Sequence, residues 1–117
     1  MNQRQIGKEK EAAACEYLKS KGYEILAVNY RSRYLEIDIV AKDEKELVFV
    51  EVKYRKNDVC GGSMYAVDYK KRRNISRCAG YYIYRERISQ DTPIRFDVIA
   101  MDGNQITHIK NAFEAVL

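Results

Sequence analysis

The chain predicts an α/β domain, a mixed central sheet flanked by helices, and three patterns support this. Ala14, Cys15 and Leu18 recur at helical spacing early in the chain, and Val67, Ile75, Cys78, Ala79 and Tyr82 do the same later. Between and after these helical stretches lie short apolar runs of strand character, of which Leu47-Val48-Phe49-Val50 is apolar on both faces. The resulting order of helix, three strands, helix and two strands implies a mixed sheet with helices packed on it.

The first helix is expected from about Gln5 to Lys21, because Glu11, Ala14, Cys15 and Leu18 fall at i, i+3, i+4 and i+7. Gly22 supplies its stop. Tyr23 to Tyr30, Tyr34 to Ala41 and Leu47 to Tyr54 read as strands, the last central and covered on both sides. Asn57 to Ser63, with Gly61-Gly62, reads as a loop, and Ser63 can cap a second helix running to about Arg85. Lys71 falls inside that helix's apolar stripe, four residues from both Val67 and Ile75. Pro93 breaks the chain before a strand from Ile94 to Met101. Asp102-Gly103-Asn104 turns into a short strand from Gln105 to Ile109, and Asn111 to Leu117 is expected to end as a helical tail.

At 117 residues the chain makes one domain, 1–117. Composition is that of a soluble globular protein, 46% hydrophobic and 32% charged. No run approaches the roughly 18 apolar residues of a membrane span. The N-terminus lacks the apolar stretch of a secretion signal, so a cytoplasmic location is expected. Cys15, Cys60 and Cys78 are widely spaced and form no C-x-x-C pair, which argues against a disulfide framework or structural zinc. Cys15 and Cys78 read as small buried hydrophobes.

The net charge of +4 is unevenly spread. Lys70, Lys71, Arg72 and Arg73, with Arg77 beyond, form one cationic block; Arg31, Arg33, Lys53, Arg55 and Lys56 form another. A solvated helix face would account for the first block alone. Two blocks flanking a pair of carboxylates point to a nucleic-acid phosphate backbone.

Glu36-Ile37-Asp38 and Glu51-Val52-Lys53 carry the chemistry. Strand alternation puts Glu36 with Asp38, and Glu51 with Lys53, on shared faces. A hairpin turning through Asp43 to Glu46, with Lys42 opposite Leu47, would set Asp38 opposite Glu51 and Glu36 opposite Lys53. Two carboxylates that close repel unless a cation lies between them, and a hard divalent ion such as Mg²⁺ or Mn²⁺ suits such a pair. The plainer reading is a pair of strand-end acids held by nearby Lys and Arg. Glu51, however, follows four apolar residues in a strand expected to be central, where an unpartnered acid is costly. Lys53 would support charge in a phosphoryl transition state, or pair with Glu36; Glu36 would then act from behind the site, holding Lys53. Glu11 lies on its helix's apolar stripe and could reach the ion directly or through water, or pair with an Arg. Lys71 could contact phosphate or snorkel from the core edge. The ten tyrosines read as packing, and His108 as structural; Arg95-Phe96-Asp97 suggests no partner.

At these residues the chain resembles the bacterial YraN family, also called UPF0102. The resemblance runs through Gly7, Glu11, Ala14, Tyr17-Leu18 and Gly22-Tyr23, then Asn29-Tyr30-Arg31, Glu36-Ile37-Asp38 and Phe49-Val50-Glu51-Val52-Lys53-Tyr54-Arg55. It continues through Val67, Lys71, Arg95-Phe96-Asp97-Val98 and Asn111-Ala112-Phe113, nearly the full chain. That family is similar to archaeal Holliday junction resolvases and, more widely, to PD-(D/E)XK nucleases. The resemblance implies a restriction-endonuclease-like αβββαβ core and a magnesium-dependent phosphodiesterase site. Asp38 matches its metal-binding Asp, Glu51 and Lys53 its E-x-K pair, Glu11 the first-helix Glu of the resolvases, and Lys71 a basic residue on the later helix. Leu35 stands where the family usually has Gly, and Ile37 where the superfamily's motif has Pro.

The expectation is a metal-dependent endonuclease acting on DNA, branched or junction DNA included. Asp38, Glu51 and Glu11 would bind Mg²⁺ or Mn²⁺, with Lys53 assisting. Arg31, Arg33, Arg55, Lys70, Lys71, Arg72 and Arg73 would grip the backbone without reading sequence. A two-fold junction would suit a homodimer. Two alternatives belong to other classes: a nucleic-acid-binding accessory protein that keeps the fold without useful catalysis, and a plain interaction domain.

Overall fold

Asn2 opens the first helix, α1 (Gln3–Ser20), with a capping box: its side chain accepts from the Gln5 N–H while the Gln5 side chain accepts from the Asn2 N–H. The computed structural model describes residues 2–55 and 67–116. Gly22, at φ +91°, ends α1 as expected and turns the chain into the sheet. The strands are β1 (Glu24–Ser32), β2 (Leu35–Asp43), β3 (Glu46–Arg55), β4 (Ile94–Asp102) and β5 (Gln105–Phe113), with α2 (Tyr69–Arg85) between β3 and β4. They form one five-stranded sheet in the order β1-β2-β3-β4-β5. Only β3 and β4 are parallel; the other neighbours are antiparallel, so the sheet is mixed. The arrangement is consistent with a restriction-endonuclease-like core. Arg33, Glu44 and Gly103, at φ +59°, +55° and +62°, lead the tight turns of the three hairpins.

The helices cover opposite faces. On the α2 side, Ile75, Cys78 and Tyr82 pack with Leu35, Ile37 and Phe49. Leu35 is 3% exposed, so the residue that departs from the family's Gly contributes a core side chain. On the α1 side, Ala14 and Leu18 pack with Ile39, Val48, Val50 and Ile99. β3 is central and covered on both faces, as its run of apolar residues predicts. Cys15 and Cys78 are buried thiols, as expected, and burial pushes both up in pKa.

Two expectations fail. Asp68, not Ser63, caps the second helix: its side chain accepts from the Lys71 N–H at 2.8 Å, and α2 starts at Tyr69. The expected loop from Asn57 to Ser63 lies outside the described residues. The expected helical tail from Asn111 is instead the end of β5, which runs to Phe113. Phe113 pairs with Phe96 across the sheet and stacks on it, ring centroids 5.0 Å apart. Burying that ring outweighs local helix propensity. Asn111, at φ +53°, makes the bulge that permits it, and its N–H donates to Asp97 at 3.0 Å.

Arg95 and Asp97, for which the sequence suggests no partner, form a buried ionic network on the α1 side. Arg95 donates to both Asp97 oxygens at 2.9 and 3.0 Å, to Asp43 at 3.1 Å, to Glu46 at 2.8 Å and to the Tyr23 hydroxyl. His108 Nε2 lies 2.7 Å from Asp97, which makes His108 structural, as expected. Burial alone would raise the Asp97 pKa, but the hydrogen bonds from His108, Arg95 and the Asn111 amide together hold it below the usual range. The network ties the β2–β3 hairpin to Tyr23, β4 and β5.

Candidate metal centre

β2 and β3 stay paired from Asp43–Glu46 to Ile39–Val50 and then separate, while β3 remains paired with β4 as far as Arg55–Asp102. Past the split, the ladder no longer offers a β2 carbonyl to the Val52 N–H. Asp38 fills that place, its Oδ2 accepting from Val52 at 2.8 Å. β2 changes face at the same residue. Ile37 packs on the α2 side and Ile39 on the α1 side, although residues two apart in a regular strand share a face. On the adjacent strand Asn29 is left-handed, φ +54°, between the pairs Val28–Ile39 and Tyr30–Ile37. Asp38 is thereby turned into the mouth between the separating strands.

The direct ladder pairs expected beyond Ile39–Val50 do not form. Glu36 does not oppose Lys53; it accepts from Arg31 Nε at 2.6 Å across β1. Asp38 and Glu51 still come within hydrogen-bonding reach of each other. Glu11 enters from α1, one turn before the buried Ala14 and Cys15, where its stripe position places it. Asn29 Nδ2 donates to Glu11 Oε1 at 3.0 Å. One carboxylate oxygen from each of Glu11, Glu36 and Asp38 lies within 4.8 Å of the others. Spacings of this size fit a shared ion with oxygen donors at about 2.0–2.6 Å, and an all-carboxylate donor set suits a hard divalent cation. The tight group thus contains Glu36, read from the sequence as acting from behind the site, where the expected set has Glu51.

Glu51, 8% exposed, points to α2 and meets Lys71 Nζ at 3.3 Å. Lys71 therefore sits at the acid cluster, and its place in the apolar stripe of α2 follows from that contact. Burial alone would lower the Lys71 pKa, but Glu51 and Asp38 outweigh burial and raise it. Asp38 is pushed up to about 8, chiefly by burial and next by the hydrogen bond and charge of Glu51. Burial also raises Glu11, against the Asn29 hydrogen bond and with help from the charges of Asp38 and Glu36. Carboxylates whose pKa rises through burial and neighbouring acids mark a site that gains from a cation.

The expected cationic grip is largely committed within the fold. Arg31 pairs with Glu36, Arg55 with Asp102 at 3.1 Å, and Lys71 with Glu51. Arg33 lies over the Tyr81 ring and Arg72 over Tyr69. Lys70 and Arg73 are exposed on α2. Lys53 follows Val52 on β3, half-buried beside the split. The sequence reading missed Asn29 as a contact of Glu11, although a mid-strand Asn, a residue strands disfavour, was its signal. Among the described residues, no helix is long and apolar enough to cross a membrane.

Comparison with known proteins adds a family to this geometry. Residues 10–101 match the model of "Uncharacterised protein family UPF0102". The chain is similar to a UPF0102 protein of Lachnoclostridium phytofermentans, 49% identical over 115 residues, covering 98% of each chain. A UPF0102 protein of Clostridioides difficile is 47% identical over 97% of this chain and 100% of its own. One from Thermodesulfovibrio yellowstonii is 44% identical over 93% and 96%. The span Glu11 to Lys71 that builds the acid cluster lies within the matched region, and the chain belongs to the UPF0102 family.

Proposed function

We propose that this protein is a metal-dependent endonuclease that hydrolyses DNA phosphodiester bonds, with branched or junction DNA among its substrates. The observation that carries the reading is the placement of Asp38. It takes an orphaned amide at a strand split and meets Glu11, Glu36 and Glu51 there, a crowding of carboxylates that a cation would relieve. Asp38, Glu11 and Glu36 would hold Mg²⁺ or Mn²⁺, with Glu51 as a further acid at the rim. Such an ion supplies Lewis acidity toward a phosphoryl oxygen and lowers the pKa of water. The chain's own groups do the positioning. Asn29 orients Glu11, the Val52 amide orients Asp38, and Arg31 orients Glu36. Lys53 and Lys71 place positive charge where the phosphoryl group would gain negative charge.

Cleavage assays on linear, flapped and four-way DNA, with Mg²⁺ and with Mn²⁺, test the proposal. Cleavage is expected to disappear in chelator and in Asp38→Asn and Glu51→Gln. Metal binding and DNA binding without cleavage of any substrate would favour the accessory-protein reading instead.

A further inference from the structure

Resting on that reading, we infer that the first two turns of α1 form a clamp for a phosphate flanking the reacting one, built from Arg4, Lys8 and the bare backbone of Gly7. A groove of about 430 Å³ leads to the acid cluster; Arg4, Gly7 and Lys8 line one wall, Asn29 and Arg31 the other, and Glu11 and Glu36 lie at its acidic end. Arg4, Lys8 and Glu11 fall at i, i+4 and i+7 and so share a face of α1. At about 1.5 Å per residue, Lys8 and Arg4 lie about 5 and about 10 Å along the axis from Glu11. A strand whose reacting phosphate meets the carboxylates would bring its neighbouring phosphates past these two cations.

Two observations find no explanation among the described residues. The first concerns charge. Cations at a helix N-terminus oppose the helix dipole, yet the first turn of α1 carries Arg4 and no acid. Arg4 and Lys8 are both exposed and form no ion pair with a described residue. Both side chains therefore add positive charge along the groove, a placement that favours an anion. The second concerns Gly7. A helical Gly costs about 1 kcal/mol relative to Ala. A Cβ at Gly7 would meet nothing closer than the Tyr54 hydroxyl, 3.9 Å away, so packing does not require the glycine. Close approach of a ligand backbone to the helix does.

The test is binding of a fluorescent four-way DNA junction in chelator, titrated with salt. Wild type is compared with the double variant Arg4→Gln/Lys8→Gln, with Gly7→Leu, and with the charge-matched control Lys42→Gln/Lys45→Gln on the distant hairpin. Losing two phosphate contacts should make the log K against log salt slope shallower by about 2 and weaken binding roughly tenfold at low salt. Gly7→Leu should raise Tm and still weaken binding by a similar factor, and the control should match wild type. Wild-type binding with an unchanged slope in the double variant overturns the clamp and leaves the nuclease reading standing. Equal losses in the control reduce the effect to net charge and overturn the clamp too. If wild type shows no salt-dependent binding at all, both readings fall.

Discussion

Metal binding at the acid cluster should expel a proton, and Asp38 is where the effect can be measured. Its pKa is pushed up to about 8 by burial and by Glu51, so near neutral pH the carboxyl keeps its proton. A divalent ion needs the ionised carboxylate. Affinity for Mn²⁺ should therefore fall about tenfold per pH unit below 8 and level off above it. Stability has the opposite slope. The folded state holds a proton that the unfolded chain sheds near 3.8, so this group's contribution falls as pH rises through the window from 3.8 to about 8. Asp38→Asn keeps an oxygen for the Val52 amide but cannot ionise, so its stability advantage over wild type should be larger at pH 8.5 than at pH 5. Asp38→Ala leaves that amide unsatisfied and should lose about 1–3 kcal/mol. Calorimetric Mn²⁺ titration in two buffers of different ionisation enthalpy counts the protons, and thermal melts at the two pH values read the stability. Equal Mn²⁺ affinity at pH 6 and pH 8, with no proton released, would refute the reasoning.

Other outcomes follow from the same geometry. Arg95→Ala should lose about 3–5 kcal/mol in urea denaturation, because Asp97 is fully buried and keeps a charge without its main partner. Asn29→Ala should lose about 1–2 kcal/mol from left-handed strain and from the broken contact to Glu11. Asn29→Gly should recover the strain but not the contact, and so melt between Asn29→Ala and wild type. Truncating the chain after Lys110 should unfold it or leave it grossly unstable by circular dichroism, because the stacked Phe113 closes one face of the core. If the tail were an appended helix, as its local sequence suggests, the loss would be small.

The sequence by itself determined the element order, the central place of β3, the inward stripe of α1 that carries Glu11, and the family. These depend on periodicity and residue type, which are local. It also pointed to Asp38 and Glu51 as neighbours and to Lys71 as an oddity in an apolar stripe, since a charge out of pattern is visible without coordinates. Only the tertiary structure decided how the acids share space. The split between β2 and β3, the face change at Asp38 and the left-handed Asn29 arise where neighbouring elements compete for the same backbone groups. They bring Glu36 into the tight group and turn Glu51 toward Lys71. The network around Arg95 and Asp97 and the strand fate of Asn111 to Phe113 were hidden for the same reason: the contacts of Arg95 with Tyr23, Asp43 and Glu46, of Asp97 with His108 and Asn111, and of Phe113 with Phe96 join residues more than ten apart, and burial decides them over local propensity.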